Sequence, residues 1–281
     1  LPGASVYISD PSWENHRALF ESAGFQVNNY AYYDAATRGV NFAGMKASLE
    51  AAPAGSIIVL HACCHNPTGA DLSDAQWDEV VSVCRSRGLV PFLDMAYQGF
   101  ADGIDADAVA VRAFSASGLQ FFVSSSFSKS FSLYGERVGA LSIVTASKEE
   151  AGRVLSQVKR VIRTNYSNPP IHGGAIVAAV LNSPELRQMW EDELAGMRER
   201  IRAMRTSLVE QLKAEGVAQD FSFVIAQRGM FSYTGLSAEQ VEKLKADFGI
   251  YAVSTGRICL AALNTRNISY VAKAIAQVLK S

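Results

Sequence analysis

The sequence predicts an α/β protein: a mostly parallel sheet flanked by helices, then a smaller α+β C-terminal domain joined to it by a long helix. Three observations lead to this fold class. Short apolar runs alternate with longer stretches of helical periodicity, as in proteins built around a parallel sheet. Residues 56–61 (SIIVLH) form a continuous apolar run, which is typical of a strand buried on both faces. Residues 183–216 keep a helical pattern far longer than an average helix, so we expect this helix to cross a domain boundary.

The first predicted elements follow from periodicity and from residues that begin and end helices. Residues 5–8 are predicted as a strand and residues 11–23 as a helix. The clearest helix begins at a capping box of Ser73 and Gln76 and ends at Gly88. One apolar face of this helix is formed by Trp77, Val80, Val81 and Cys84.

The other predicted elements of the larger domain are more weakly marked. They are strands at residues 89–93, 120–124 and 138–144, a helix at residues 105–117, and a helix opened by a capping box of Ser147 and Glu150. Pro91 lies inside the first of these strands, which is unusual for a central strand.

We place the domain boundary near residue 195, inside the long helix. Residues 1–195 then form the larger domain and residues 196–281 the smaller one. The smaller domain is predicted to contain a strand at residues 230–233, a helix at 237–248, short strands around Tyr251 and Ile258, and a last helix that ends at Leu279.

Composition restricts the classes of function. Hydrophobic residues make up 49% of the 281 residues and charged residues 19%, which is ordinary for a folded globular protein. The formal net charge of −1 gives no reason to expect nucleic acid or an anionic membrane as a partner. No apolar run approaches the roughly 20 residues that a membrane helix needs.

Four cysteines are too few for a disulfide framework, and two of them are adjacent. They are Cys63, Cys64, Cys84 and Cys259. This usage is typical of a reducing compartment, so we expect a cytoplasmic protein. Because the sequence opens on Leu1 and runs almost at once into an apolar stretch, we also expect the natural chain to start upstream.

Lys129 is the first candidate for chemistry. It follows a predicted buried strand in the serine-rich segment 124–132 (SSSFSKSFS), which contains no acidic residue. A lysine in such a polar, uncharged and partly buried loop can have a depressed pKa, which imine formation with an aldehyde requires. Taken alone, an ordinary exposed loop lysine is the simpler interpretation.

Asp94 and Tyr97 lie at the carboxyl end of the strand predicted at residues 89–93, where ligand sites of open α/β sheets collect. A carboxylate facing a pyridine nitrogen keeps that nitrogen protonated, so that the ring can accept electrons. An aspartate that makes a turn at the start of a loop is an adequate alternative.

Two further groups belong to the same pattern. Asn66 follows the strand at residues 56–61 within the segment NPTG, which is also a common turn sequence. Arg137 comes eight residues after Lys129 in the segment YGER and could bind a phosphate, although a salt bridge to Glu136 is the plain alternative.

Five segments, taken in order, resemble one family. They are HNPTG at 65–69, Asp94-x-x-Tyr97, SFSK at 126–129, YGER at 134–137 and NYSNPP at 165–170. This combination is similar to the aspartate and aromatic amino acid aminotransferases, which are pyridoxal-phosphate enzymes of the aspartate aminotransferase fold. The resemblance extends over nearly the whole chain. Residues 9–16 (SDPSWENH) and 227–233 (QRGMFSY) look closest to bacterial aromatic amino acid (tyrosine) aminotransferases.

The resemblance implies a role for each matching residue around pyridoxal 5'-phosphate. Lys129 would bind the cofactor covalently and then carry the proton between substrate and cofactor. Asp94 would pair with the pyridine nitrogen, with His16 hydrogen-bonded to it from behind. Tyr97, the third catalytic candidate, and Asn66 would donate to the cofactor's phenolic oxygen.

The remaining matches concern phosphate and substrate. Ser126 and Arg137 would hold the phosphate, Arg137 as a fork on its oxygens. Trp13 would lie beside the ring and the substrate carboxylate. Arg257 would bind the substrate's α-carboxylate through two hydrogen bonds, and Phe231 would line the substrate pocket.

Arg163 matches the arginine that binds the second carboxylate of a dicarboxylic substrate in the neighbouring subunit. The resemblance therefore implies a homodimer with shared active sites. A basic helical face formed with Lys159 and Arg160 is the alternative interpretation of Arg163.

The implied reaction is a two-stage, ping-pong exchange of an amino group between aromatic or dicarboxylic L-amino acids and 2-oxoglutarate. An aspartate-specific aminotransferase is the main alternative. Family members also have an upstream segment that supplies a phosphate loop and a tyrosine donated across the dimer. We expect a protein limited to these 281 residues to lack several phosphate donors and to be inactive.

A metal site, a different pyridoxal-phosphate enzyme and a simple binding module each account for fewer of these residues. On an extended strand His61, Cys63 and His65 share one face, but structural zinc sites usually draw on a second, separated ligand pair, so we predict no metal. A pyridoxal-phosphate lyase or decarboxylase of the same fold would not need both Arg257 and Arg163. A doubly wound module that only binds a small ligand would leave Lys129 without a role.

Overall fold

A six-stranded sheet is the centre of the larger part of the molecule. The computed structural model describes residues 3–280. The strands of this sheet are β1 (Ser5–Asp10), β2 (Gln26–Ala31), β5 (Ile57–His61), β6 (Val90–Met95), β7 (Phe121–Ser126) and β8 (Gly139–Val144), while β3 (Tyr33–Asp34) and β4 (Gly39–Val40) pair separately. The order is β2-β1-β5-β6-β7-β8, with every pairing parallel except that of β7 with β8. The predicted mostly parallel α/β sheet is confirmed.

Helices cover this sheet and build the smaller C-terminal part. They are α1 (Glu14–Ser22), α2 (Phe42–Ala51), α3 (Asp74–Arg87), α4 (Val109–Ala116), α5 (Lys148–Asn165), α6 (His172–Asn182), α7 (Pro184–Ala214), α8 (Phe223–Ala226), α9 (Ala238–Phe248) and α10 (Ile268–Lys280). None of the helices in residues 3–280 is long and apolar enough to cross a membrane.

The helix α3 forms where its end signals predicted it. Ser73 accepts from the backbone N–H of Gln76, and the Gln76 side chain accepts from the N–H of Ser73. Gly88 ends the helix in the left-handed conformation with φ of 62°. The apolar face, Trp77 and Cys84 included, is buried against the sheet.

The register of the central strands brings polar residues to one edge of the sheet. All five residues of β5 are buried, as the apolar run predicted. His61 at the end of β5 lies opposite Asp94 of β6, and Asp94 lies opposite Ser124 of β7. Because these strands are parallel, their carboxyl ends meet at this edge, and the loops that follow them form the walls of a cavity.

The helix α7 connects the two parts of the chain. It runs for 31 residues, with Ser183 capping it and Pro184 in its first turn. Beyond it, β9 (Phe231–Tyr233) and β10 (Arg257–Cys259) form an antiparallel pair. The apolar core around α7 and α10 also takes in Tyr97 and Phe100 from the loop after β6. The domain boundary near residue 195 stays a prediction.

Some predicted details are wrong. Residues 251–253 form no strand: Tyr251 is 81% exposed, and Gly256 donates to the carbonyl of Val253 in a turn that leads into β10. The capping box at Ser147 is only half formed, because the Glu150 carboxylate accepts from the N–H of Ala146 instead. The first helix begins at Glu14, three residues later than predicted.

Candidate active site

A cavity of about 440 Å³ opens at the carboxyl ends of the central strands. This volume is within the range of small-molecule sites. Most residues proposed from the sequence meet here, namely Trp13, Asn66, Asp94, Tyr97, Ser126, Lys129, Arg137, Phe231 and Arg257. Residues that sequence reasoning did not propose complete the lining: His61, Cys63, Ala96, Ser128, Tyr134 and Met230.

Asp94 is held from behind. The Nε2 atom of His16, which is buried on α1, lies 2.9 Å from one carboxylate oxygen, and Ser124 donates to the other at 3.4 Å. Ser12 lies 3.0 Å from the second ring nitrogen of His16 and fixes the ring's orientation. Burial alone would raise the pKa of Asp94, but the hydrogen bond to His16 and neighbouring charges such as that of Lys129 outweigh it and lower the pKa. Asp94 therefore faces the cavity as a carboxylate.

The imidazole rings of His61 and His65 lie near the pair formed by His16 and Asp94. The His61 ring centroid is 5.0 Å from that of His16 and 4.4 Å from that of His65. Burial lowers the pKa of His61, and lowers that of His65 to about 3, so both rings are neutral at ordinary pH. Because both rings are neutral, they do not neutralise Asp94, and its negative charge faces the cavity.

His61, Cys63 and His65, the possible metal ligands considered from the sequence, do not form a ligand set. The two ring nitrogens of His65 contact Ser9 and Thr68 instead of facing a common point. Within residues 3–280 the potential ligands that lie close together are Cys63, Cys64 and Asp107. The Asp107 carboxylate, however, accepts four hydrogen bonds from backbone N–H groups of residues 99–103 and thereby shapes that loop.

Lys129 projects into the cavity between two tyrosine rings. Its Nζ lies 5.0 Å from the ring centroid of Tyr97 and 5.4 Å from that of Tyr134. Burial lowers the pKa of Lys129, Asp94 opposes this effect, and Arg137 adds to it, with a net lowering. Lys129 therefore lies in a loop, as the simpler interpretation assumed. Its amine, however, faces the cavity that Asp94 also lines.

Arg137 lies at the rim. Its backbone is left-handed, with φ of 53°, which turns the side chain back over the Tyr134 ring at 5.5 Å. It donates to the carbonyl of Tyr134 at 2.9 Å. None of the ion pairs among residues 3–280 includes Arg137, so the salt bridge to Glu136 does not form. A guanidinium without an acidic partner at the rim is suited to an incoming anion.

Arg257 forms the opposite wall. It donates to the side-chain oxygen of Asn66 at 3.0 Å, and its guanidinium lies 4.7 Å above the Phe231 ring. The Asn66 amide in turn donates to the Tyr97 hydroxyl at 3.5 Å. Burial raises the pKa of Tyr97, so its hydroxyl keeps its proton and can donate a hydrogen bond. Polar groups from both parts of the chain therefore converge on one space.

The remaining proposed residues differ in position. Trp13 is 39% exposed at the entrance, with its ring edge-on to His16 at 5.2 Å. Ser126 accepts from the N–H of Ser128 at 3.2 Å. Arg163 does not line this cavity; it is exposed on α5 and donates to the side chain of Ser167.

Two of the missed lining residues left a signal in the sequence. Tyr134 belongs to the YGER segment and His61 ends the apolar run that predicted β5, so both could have been placed at the same sheet edge. Met230 reaches the cavity from the loop before β9, which depends on how the C-terminal part packs and has no local signal.

Comparison with known proteins identifies the family. Residues 1–275 match the family model for aminotransferases of class I and II. An aspartate aminotransferase of Pseudomonas aeruginosa is 70% identical over 279 residues, which is 99% of this chain and 70% of that protein. An aromatic-amino-acid aminotransferase of Escherichia coli K12 is 54% identical over the same shares of the two chains.

Solved structures are also similar. An aromatic-amino-acid aminotransferase of Burkholderia pseudomallei, covalently bound to pyridoxal phosphate, superposes with a TM-score of 0.98 at 71% identity, covering 99% of this chain and 70% of that one. An aromatic aminotransferase of Psychrobacter sp. B6, cocrystallised with aspartic acid, gives a TM-score of 0.98 at 48% identity and covers 100% and 70% of the two chains. The chain therefore belongs to the aminotransferase class I and II family.

Proposed function

We propose that the protein is a pyridoxal-phosphate-dependent aminotransferase that exchanges amino groups between aromatic or dicarboxylic L-amino acids and 2-oxoglutarate in a ping-pong reaction. The observation that carries this proposal is that Lys129 and Asp94 open onto one cavity. Membership of the family and the names of the similar proteins support the reaction type.

The residues around the cavity fit the cofactor. When bound, pyridoxal phosphate supplies an aldehyde for the amino group and a ring that draws electrons from the substrate's Cα. The Lys129 amine has the lowered pKa that reaction with an aldehyde favours, and Asp94 is ionised as a partner for a protonated ring nitrogen. Arg137, with no acidic partner among the described residues, would take the phosphate.

Lys129 performs the proton transfer. Its amine would hold the cofactor covalently. As a free amine, it would accept the proton from the substrate's Cα and deliver it to the cofactor's C4' carbon. The rings of Tyr97 and Tyr134 restrict the path of the amine between these two positions.

The other polar residues of the site would orient the cofactor and the substrate and polarise the cofactor's ring. Asp94 keeps the ring nitrogen protonated, and His16 fixes the carboxylate's direction. Tyr97, which retains its hydroxyl proton, donates to the phenolic oxygen together with Asn66. Arg257 would bind the substrate's α-carboxylate, and its contacts with the Phe231 ring and Asn66 would hold the guanidinium in place before the substrate arrives.

We also infer a homodimer in which Arg163 serves the neighbouring active site. All eighteen residues of α5 are exposed or half-buried, and the large apolar side chains Leu155 and Val161 are 53% and 63% exposed. The antiparallel strand β8 has a similar exposed apolar surface at Leu141. Exposed apolar surface of this kind favours burial against another chain. Four free cysteines support a reducing, cytoplasmic setting.

The proposed substrates include both aspartate and aromatic amino acids. Proteins about equally similar to this chain are named after aspartate and after aromatic amino acids, at 70% and 71% identity. Half-reaction rates with aspartate and with phenylalanine, followed by 2-oxoglutarate, test it. A phenylalanine rate far below the aspartate rate would leave an aspartate-specific enzyme. An absorbance band of the lysine-bound cofactor that persists in K129A would contradict the proposal as a whole.

A further inference from the structure

The indole of Trp190 contacts the loop that carries Lys129. Trp190 lies near the start of α7, and its Nε1 donates to the carbonyl of Ser130 at 2.7 Å. Its ring stacks on Phe131, with centroids 4.4 Å apart and planes at 22°. Phe131 packs edge-on against Phe127 at 5.4 Å. The two residues that follow Lys129 are thus fixed by one side chain from a distant helix.

The N–H of Phe127 ties the start of the loop to the carbonyl of Val138, but two further hydrogen bonds only shape the loop and do not fix its position relative to α7. Phe131 donates to the carbonyl of Phe127 at 3.2 Å, and Ser132 donates to that of Lys129 at 3.2 Å. Both bonds would persist if the loop moved as a unit relative to α7. Ser130 is only 6% exposed, so its carbonyl would be left buried and without this partner if the indole N–H were removed.

The same helix also holds the loop that follows Asp94. Arg198 donates to the carbonyl of Gly99 at 3.0 Å, and Leu194 packs on Gly99 so closely that a Cβ there would overlap it. Gly99 is two residues after Tyr97. Successive turns of α7 therefore contact both the lysine loop and the loop carrying Tyr97.

We propose that Trp190 is a positioning residue that sets where the Lys129 amine lies relative to Tyr97 and Asp94. The inference rests on the proposed function, because it assigns Trp190 a role through the lysine of that site. Trp190 itself does not line the cavity.

The expected effect is on the proton transfer and not on substrate binding. Misplacing a reacting group by about 1 Å can cost up to roughly 100-fold in rate. Arg257 and Phe231, which would bind the substrate, lie on β10 and β9, and Arg257 is held there by Asn66 and the Phe231 ring. Loss of the indole should therefore lower kcat and leave KM nearly unchanged.

Two substitutions separate the contacts of the indole. W190F keeps an aromatic ring against Phe131 and removes the N–H donor, whereas W190L removes both. W77F is the matched control, because Trp77 is also a helix tryptophan, 3% exposed, in the separate core around α3. We measure kcat and KM of the half-reaction. We also titrate the absorbance of the lysine-bound cofactor against pH. In cofactor-free protein the rate of Lys129 acylation is measured by peptide mass spectrometry.

We expect kcat to fall about tenfold in W190F and up to roughly 100-fold in W190L, with KM within about twofold. The titration midpoint and the Lys129 acylation rate should move in W190L and stay at the wild-type value in W77F. Unchanged titration and acylation in folded W190L, or equal changes in W77F, would overturn the proposal. If W190L does not fold, W190F decides by the same readouts. If wild-type protein binds no cofactor at Lys129, the proposed function fails, while the acylation rates still decide the role of Trp190.

Discussion

Two lysines of this chain have pKa values displaced in opposite directions. Burial lowers the pKa of Lys129 in the cavity, whereas an exposed ion pair with Glu79 at 2.9 Å raises that of Lys46. A lowered pKa means that the reactive, neutral amine appears at lower pH. We predict that Lys129 is acylated with a midpoint below that of Lys46 when labelling by a small acylating reagent is followed against pH. Equal midpoints, or a higher one for Lys129, would contradict the assignment.

Single residues were the level at which the sequence was most informative. Lys129, Asp94, Asn66 and Arg137 each had a plain alternative explanation, and only their order and flanking residues led to the roles proposed for them. The contact of Trp190 with Ser130 could not be predicted, because the two residues lie 60 positions apart and neither forms part of a recognisable motif. Tertiary packing alone brings them together.

At the scale of elements, the contact between α7 and the loop after β6 leaves no free space. Gly99 has φ of +93°, and a Cβ there would meet Leu194 and Ile104, whereas Gly118 has φ of +76° and open space around it. We predict that G118A costs about 1–2 kcal/mol, the strain of a left-handed alanine. G99A should cost roughly 1–3 kcal/mol more, because it also overpacks the contact with Leu194. Denaturant unfolding measures both, and similar losses would show that this contact is loose.

A buried cation organises the turn before β9. Arg205 on α7 is 2% exposed and donates to the carbonyls of Val224, Arg228, Gly229 and Phe231 at 2.7–3.1 Å. Burial lowers its pKa to about 10, so it remains charged at neutral pH. We predict that R205M destabilises the protein by on the order of 3–5 kcal/mol, since it leaves buried carbonyls without donors.

The exposed pair of Arg187 and Glu191 on the same helix provides the control for Arg205. R187M should change stability far less than R205M in the same unfolding experiment, because exposed ion pairs contribute little. A similar effect of both substitutions would mean that the buried carbonyls find other donors.

Elements with end signals or clear periodicity were predictable, and others were not. The reciprocal cap of α3 appeared as predicted, and α9 formed at the predicted residues. The strand β2, QVNNYA, was missed because two polar asparagines interrupt the apolar pattern, and α6, HGGAIVAAVLN, because two glycines and an apolar circumference hide its helical period. The predicted strand at Tyr251 failed because local β-propensity has no pairing partner there.

At the scale of the whole molecule, the active site lies between two apolar cores and is proposed to need a second subunit. K129A and R163A should each be nearly inactive with aspartate. Mixed and re-equilibrated, they should recover about a quarter of wild-type activity, since half the dimers are mixed and each mixed dimer has one intact site. Mixing K129A with D94N, which are defective on the same side of the shared site, is the control and should recover none. Recovery no higher than that of the control in the first mixture would argue against shared sites.

The proposed function depends most directly on a covalent bond between the Lys129 amine and the cofactor in the cavity that Asp94 lines. Incubation of the protein with pyridoxal phosphate, reduction with borohydride and peptide mapping by mass spectrometry test it directly. We expect one dominant adduct, on Lys129, that is lost in K129A. Adducts spread over surface lysines, with Lys129 unmodified, would contradict it.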